Sequence, residues 1–270
     1  MVVQHNLQAA NTNRMLGANV KAVSKSTEKL SSGYQVNRAA DDAAGLSISE
    51  KMRNQIRGIN QAVKNSEDGV SLIQTAEGNM NEIHSILQRM GELATKAAND
   101  VNASDDRVAI DDEMKQLTEE IDSIAKKAAF NGTYLLRGSF TNKQLQVGAV
   151  AGENMSITIS SMKASKIGVA GLKVSSHKAA SSAMTAITKA IKDVSTARSK
   201  LGAIQNRLNY TINNLENYSE NLTAAESQIR DTDMATEMTN YTKNNILQQA
   251  AQSMLAQSNQ STQGVLSLLQ

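Results

Sequence analysis

The chain has 270 residues, a formal net charge of +2, and no proline, cysteine or tryptophan. The missing cysteines exclude disulfides and thiolate metal sites, and the small net charge gives no reason to expect a nucleic-acid or membrane partner. Because proline breaks helix interiors and aromatic residues make up only 3% of the chain, we expect long helices that meet along narrow aliphatic seams.

The first predicted element is a helix that ends near Ser32. Its apolar positions alternate in steps of four and three: Leu16, Val20, Val23 and Leu30. This spacing is typical of a coiled-coil seam, although Thr27 occupies the same stripe. A helix with so few apolar seam residues is marginal in water, so we expect it to be mobile in a single molecule and ordered against partners.

A joint between helices follows in the stretch LSSGYQVNRAADDAAG, Leu30 to Gly45. Ser31-Ser32-Gly33 can stop a helix, and Asp41-Asp42 can start one by accepting hydrogen bonds from the free N–H groups of a first turn. The second helix is predicted from about Ala44 to Ala98, roughly 80 Å at ~1.5 Å per residue. Its glycines either permit close approach of a neighbour or are tolerated weak spots: Gly58, Gly69, Gly78 and Gly91.

The remaining elements are two more helical regions on either side of a short β region. A third helix is predicted on apolar positions from Ile110 to Ala128, and alternating residues indicate one or two β-hairpins between Thr133 and Ser160. A heptad seam then returns: Ile187, Val194, Leu201 and Leu208. A last helical stretch, Ala225 to Gln270, ends in the apolar sequence VLSLLQ, which should not face water unaided.

These elements predict a mainly α fold: an elongated antiparallel helical bundle or coiled coil, with paired N- and C-terminal helices and small β-hairpins at the tip. Residues 1–44 and 225–270 are expected to form the two halves of a terminal-helix domain. Residues 45–180 and 181–224 are expected to form a second helical domain, with its hairpins at about 133–160.

The joint sequence closely resembles the N-terminal signature of the flagellins. Further segments resemble the same family, in family order: SEDGVSLIQTAEGNMNEIHSILQRMGELATKAAN, LGAIQNRLNYTINNL, IRDTDMATE and NILQQAAQSMLAQSNQ. The resemblance covers nearly the whole chain, with Gln270 where Arg is common in the family. Only residues 138–180 separate the two matching halves, which implies a short flagellin without the outer variable domains.

The resemblance implies a structural subunit that self-assembles into the bacterial flagellar filament, with no enzymatic activity and no cofactor. The expected assembly residues lie in the terminal helices: Leu16, Val20, Val23, Leu30, Leu247, Met254, Leu255, Val265, Leu266, Leu268 and Leu269. The implied partners are further copies of the chain, the flagellar cap and hook-associated proteins, and an export chaperone. The implied route is the flagellar type III export system to the extracellular filament, and the N-terminus shows no cleavable signal peptide.

The resemblance also implies recognition by an innate immune receptor, Toll-like receptor 5. The matching contact positions lie on the second and third helices: Gln88, Arg89, Glu92, Leu93 and Glu113. Gly91 stands where well-recognised members often carry a second basic residue. A role of Arg89 and Glu92 in a filament contact or on a solvated helix face is compatible with the same residues.

Three alternative functions are considered. A hook–filament junction protein shares the terminal helices, and a helical bundle can bind a partner without polymerising. An enzyme has no candidate motif, because HExxH, GxxxxGK[ST] and GxSxG are all missing. His5, His84 and His177 lack metal-ligand spacing, so we predict no catalytic, cofactor-binding or metal-binding residue.

Overall fold

The computed structural model describes residues 6–268 of the chain, with side chains described for residues 6–261. The described helices are α1 (Leu7–Ser32), α2 (Ala43–Ala97), α3 (Ser104–Lys127), α4 (Ala164–Ile167), α5 (His177–Arg230) and α6 (Met234–Leu268). The strands are β1 (Ala129–Phe130), β2 (Thr133–Tyr134), β3 (Lys143–Gln146) and β4 (Asn154–Ile157). The chain forms two compact units: unit 1 comprises the residues up to Ile56 and from Glu220, and unit 2 comprises Arg57–Ser219.

The joint between α1 and α2 uses the two signals in its sequence. Gly33 ends α1 in the left-handed conformation, with φ 76°, and donates its N–H to the Lys29 carbonyl at 2.8 Å. Asp42 Oδ1 accepts the N–H groups of Ala44 and Gly45 at 3.0 and 2.9 Å, which satisfies two free donors at the start of α2.

The second helix break lies later than expected. Helix α5 continues through Ala225 to Arg230, so a last helix that begins at Ala225 is wrong. The residues around Ala225 are compatible with a helix interior, whereas an aspartate such as Asp233 favours the cap position at a helix start. Asp233 Oδ1 accepts the backbone N–H groups of Ala235 and Thr236 at 2.9 and 3.3 Å, and α6 begins there.

In unit 1, α1 and α6 lie side by side and antiparallel. Asn6 Nδ2 donates to the Ser258 carbonyl at 3.3 Å near one end of the pair, and Lys29 Nζ lies 3.9 Å from Glu237 Oε2 near the other. The predicted pairing of the two terminal helices is therefore confirmed. The mobility of α1 in a single molecule stays a prediction.

Helix α1 does not bury the whole stripe expected from its sequence. Leu16, Val23 and Leu30 are half-buried, but Val20 is 43% exposed. The buried side chain of α1 is Ser26, a small polar residue. Polar residues therefore share the intramolecular face, which the apolar spacing alone did not reveal.

Unit 2 has a continuous apolar core that α2, α3 and α5 share. The predicted heptad seam of α5 is confirmed, because Ile187, Val194, Leu201 and Leu208 are each at most 2% exposed. The side chains that join them in the core include Ile73, Met80, Ile83, Leu87 and Met90 of α2 and Ile110, Met114 and Ile121 of α3. Burying each such aliphatic side chain contributes roughly 1.5–3 kcal/mol.

Two antiparallel hairpins follow α3, as the sequence predicted. The first pairs β1 with β2 across Asn131 and Gly132, with φ of 45° and 76°, and it starts at Ala129 rather than Thr133. Positive φ at both turn residues is typical of the two-residue turns that Asn-Gly favours. The second hairpin pairs Lys143 with Ile157 and ends at the pair Gln146 and Asn154.

The β3–β4 hairpin lies alongside α2, not at a tip beyond the helix ends. Asn65 Nδ2 of α2 donates to the Gln146 carbonyl at 3.2 Å. A Cβ built at Gly69 would lie 2.5 Å from Leu145 Cδ2, so this glycine permits the hairpin to approach closely. The predicted fold class is confirmed as mainly α with short antiparallel strand pairs, but the expected position of the hairpins is wrong.

The compact units divide within α2 and α5, after Ile56 and Ser219. The sequence-based boundaries at 44/45 and 224/225 lie nearby, and their assignment to flagellin domains stays a prediction. None of the helices in the described part of the chain combines the length and the apolar character needed to cross a membrane.

Candidate interaction surfaces

The two helix breaks of unit 1 are joined by backbone hydrogen bonds. Gln35 donates its N–H to the Arg230 carbonyl at 2.7 Å, and Thr232 donates to the Gly33 carbonyl at 2.9 Å. These bonds flank an isolated antiparallel bridge between Tyr34 and Asp231. The joint sequence and the IRDTD segment, far apart in the chain, therefore form one structural element.

The side chain of Arg230 reinforces this element. It is 13% exposed, its guanidinium lies 4.5 Å from the centroid of the Tyr34 ring, and its Nη1 lies 3.1 Å from Glu50 Oε1. A cation over an aromatic face and an ion pair both stabilise this position. No pattern in the sequence predicted this role for Arg230, and the only local signal was a basic residue directly before an aspartate-rich helix start.

The described side chains of the α1–α6 pair include no fully buried apolar residue, although Leu16, Val23, Leu30 and Leu255 are half-buried. Among its described side chains only Ser26 and Ser258 are buried. Large apolar side chains are instead exposed on these two helices: Leu7, Met15, Val20, Met234, Met238, Ile246, Leu247 and Met254. Apolar surface of this extent, on helices with no apolar core of their own, is typical of a protein–protein interface.

Three of the eleven predicted assembly residues belong to that exposed set: Val20, Leu247 and Met254. Leu247 and Met254 are 43% and 55% exposed, and Leu255 is half-buried on the same helix. The side chains of Val265, Leu266 and Leu268, and the whole of Leu269, lie outside the described residues.

The predicted receptor positions lie on α2 and α3 of unit 2. Arg89 connects the two helices: its Nη2 lies 2.9 Å from Glu113 Oε1, and its Nη1 lies 3.2 Å from Glu92 Oε2. Hydrogen bonds from the guanidinium to Glu113 and then Glu92 raise the pKa of Arg89 above its ordinary value. Gln88 is exposed, and its Nε2 lies 3.3 Å from His84 Nε2.

Leu93 differs from the other receptor positions because it faces the core of unit 2. It is only 3% exposed, although it contributes to the floor of an open cleft of about 440 Å³ that Arg89, Glu92 and Glu113 also line. The structure therefore brings Arg89, Glu92 and Glu113 together at one surface, with Gln88 beside them and Leu93 beneath.

The described side chains contain no group of three or more His, Asp or Glu residues arranged to hold a metal ion. His177 Nδ1 lies 2.7 Å from the Ala98 carbonyl, where it connects the start of α5 to the end of α2. His5 lies outside the described residues.

Comparison with protein families identifies both halves of the chain. Residues 3–141 match the bacterial flagellin N-terminal helical region, and residues 184–269 match the bacterial flagellin C-terminal helical region. The first match covers α1 to the first hairpin, and the second covers most of α5 and α6.

Individual relatives agree with the family match. The chain is 53% identical over 271 residues to a flagellin of Halalkalibacterium halodurans and 48% identical over 303 residues to a flagellin of Bacillus subtilis, with all of each chain covered. It is also similar to the crystal structure of Bacillus cereus flagellin, at 30% identity and a TM-score of 0.51, over 56% of this chain and 88% of that one. The alternative of a hook–filament junction protein is not favoured by these full-length matches. The chain therefore belongs to the bacterial flagellin family and is a structural subunit of the extracellular flagellar filament, not an enzyme.

Proposed function

We propose that copies of this chain polymerise through the exposed apolar faces of α1 and α6. The observation that carries the proposal is the contrast between the two units. The described side chains of α1 and α6 include no buried apolar residue, whereas unit 2 has a continuous apolar core. Ordering a helix costs conformational entropy that apolar burial must offset, so these two helices gain their main stabilisation when neighbouring copies cover them.

This arrangement also controls where assembly occurs. A segment that becomes fully ordered only on packing must meet its ordering cost at that moment, which suppresses premature polymerisation at low local concentration. We propose that an export chaperone covers these helices before the chain passes through the flagellar type III system. The cap and hook-associated proteins then present the matching surfaces at the growing tip and at the base of the filament.

The test is a pair of single substitutions in the full-length chain. Ile246→Gln changes an exposed aliphatic residue of α6, and Val101→Gln changes an exposed aliphatic residue in the α2–α3 turn; the two side chains are 60% and 89% exposed. Because both are on the surface, both variants should fold as the unmodified monomer does, as checked by circular dichroism. Seeded polymerisation followed by sedimentation then measures the critical concentration.

We expect Ile246→Gln to raise the critical concentration by about tenfold, which corresponds to ~1.4 kcal/mol per subunit. Val101→Gln should leave it unchanged. Equal critical concentrations for the two variants would refute the proposal that α6 supplies the assembly surface.

A second proposed function is binding to Toll-like receptor 5 through the surface around Arg89. Three features support it: Gln88, Arg89 and Glu92 are exposed, Glu113 holds the guanidinium in place, and the adjoining cleft is open to solvent. A charged side chain that is already positioned by its neighbours loses little entropy on binding. Leu93 supports this surface from the core and contributes through packing.

The receptor proposal is tested by titrating the receptor ectodomain with the monomeric chain and with Arg89→Ala. Arg53→Ala is a matched control, because Arg53 also lies on α2 and forms an ion pair at three residues' spacing, with Glu50 at 3.2 Å. We expect about tenfold weaker binding for Arg89→Ala and no change for Arg53→Ala. Unchanged affinity for both variants would remove Arg89 from the proposed contact.

A further inference from the structure

Unit 2 carries a basic strip along the outer face of α5. Five exposed cations form it: Lys178, Lys189, Lys192, Lys200 and Arg207. At roughly 100° per residue these positions fall within an arc of about 80° on the helix. The arc lies opposite the buried seam that contains Val194 and Leu201. The strip therefore faces away from the core over about 44 Å of helix.

The charges of the basic strip are not neutralised within the molecule. Among the described residues, none of the five cations forms an ion pair. Asp193 is the one acidic residue of α5 between Lys178 and Arg207, and it lies at the edge of the strip. Arg198 is outside the strip and pairs with Glu77 of α2 at 3.4 Å.

An acidic strip runs along the outer face of α3. Asp105, Asp112 and Glu119 are all exposed and follow one another at intervals of seven residues, about 10.5 Å per interval. Asp112 lies 3.0 Å from Lys115, and no ion pair is found for Asp105 or Glu119 within the described part of the chain. The strip lies opposite the buried Met114 and Ile121.

The two strips have matching spacings. Lys192, Lys200 and Arg207 are separated by about 12 and 10.5 Å along α5, which is close to the two intervals of the acidic strip. One copy cannot pair its own strips, because each faces solvent on a separate helix of the same core. An open helical polymer requires the opposite arrangement, in which one surface of each copy meets a different surface of the next.

We propose that the basic strip of one copy docks against the acidic strip of a neighbouring copy in the filament. This inference concerns unit 2 and rests on the polymerisation proposed above, but it assigns a second interface that is separate from α1 and α6. Complementary charge at such an interface sets the register of neighbouring subunits and rejects mismatched pairings.

The test uses charge reversal in the full-length chain. One variant carries Lys200→Glu and Arg207→Glu, and a second carries Asp112→Lys and Glu119→Lys. Each pair has the same seven-residue spacing and lies on an exposed face, so monomer folding should be retained, as checked by circular dichroism. The control variant carries Arg57→Glu and Lys64→Glu, two exposed cations of α2 at the same spacing, and it changes the net charge as the first variant does.

We expect each reversed variant alone to have a critical concentration at least about tenfold higher than the unmodified chain, because like charges then face each other. An equimolar mixture of the two should polymerise at nearly the unmodified concentration, since each variant restores opposite charge to the other. The control variant should assemble normally. Normal assembly of either reversed variant alone, or failure of the mixture, would overturn the proposal.

The outcome is independent of the α1–α6 proposal. None of the residues substituted in the charge variants lies in α1 or α6. If Ile246→Gln assembles normally while the charge variants lose assembly and the mixture restores it, only the α1–α6 interface is refuted. Loss of assembly in Ile246→Gln with normal assembly of the charge variants would refute only the charged interface.

Discussion

Gly58 and Gly78 lie in the same helix, yet substitution by alanine is expected to stabilise unit 2 only at Gly78. A Cβ built at Gly78 meets no atom within 4 Å, so Gly78→Ala only removes the entropic cost of a helical glycine and stabilises unit 2 by ~1 kcal/mol. A Cβ built at Gly58 lies 2.9 Å from Ala149 Cβ and 3.4 Å from Ala149 Cα. Carbon atoms pack at about 3.5–4.0 Å, so the turn of the β3–β4 hairpin must move away.

Overpacking of this kind costs roughly 1–3 kcal/mol, which equals or exceeds the helical gain of ~1 kcal/mol. The two variants should therefore differ in unfolding free energy by about 1–3 kcal/mol, with Gly78→Ala the more stable. Urea unfolding followed by circular dichroism measures this difference, analysed for the transition of unit 2 because a chain with two compact units need not unfold in one step. Equal stabilisation by both substitutions would show that Gly58 is a tolerated weak spot and not a close contact.

Three further substitutions test individual contacts. Leu93→Ala should destabilise unit 2 by about 2–5 kcal/mol in the same urea assay, because the side chain is buried, whereas Arg89→Ala should cause no resolvable change. Arg230→Gln should lower the stability of unit 1 by roughly 1–3 kcal/mol in thermal unfolding, because it removes the cation from the Tyr34 ring and from Glu50; an unchanged melting curve would contradict this. Hydrogen bonds from Thr236 hold the pKa of Asp233 below its ordinary value of about 3.8. The ionised Asp233 carboxylate therefore contributes its full stabilisation above pH 3.8, and this stabilisation is lost as the pH falls through the lower folded-state pKa. Asp233→Asn should therefore lose less helix than the unmodified chain on acidification below pH 3.8, and identical acid titrations would refute this role.

Local signals in the sequence were enough to predict most of the elements. Gly33 and Asp42 mark helix ends because a left-handed C-cap and a carboxylate N-cap act through neighbouring backbone atoms. The seven-residue spacing on α5 predicts its buried face for the same reason: helix periodicity is local. The flagellin resemblance then supplied the family, which the comparisons confirm.

Features that depend on distant parts of the chain could not be predicted. Ser26 is buried although it is polar, and no property of its own helix indicates this. Arg230 gains its role from Tyr34 and Glu50, which are remote in sequence. The family resemblance predicted a surface contact for Leu93, whereas its burial depends on the packing of α2 in unit 2.

The central claim is that α1 and α6 become fully ordered through contact with neighbouring copies. Hydrogen–deuterium exchange, measured on the soluble monomer and on assembled filaments, tests it most directly. We predict that amides of residues 7–32 and 234–268 exchange rapidly in the monomer and slowly in the filament, while residues 177–219 of α5 are protected in both. Equal protection of α1 and α6 in the two states would contradict the account.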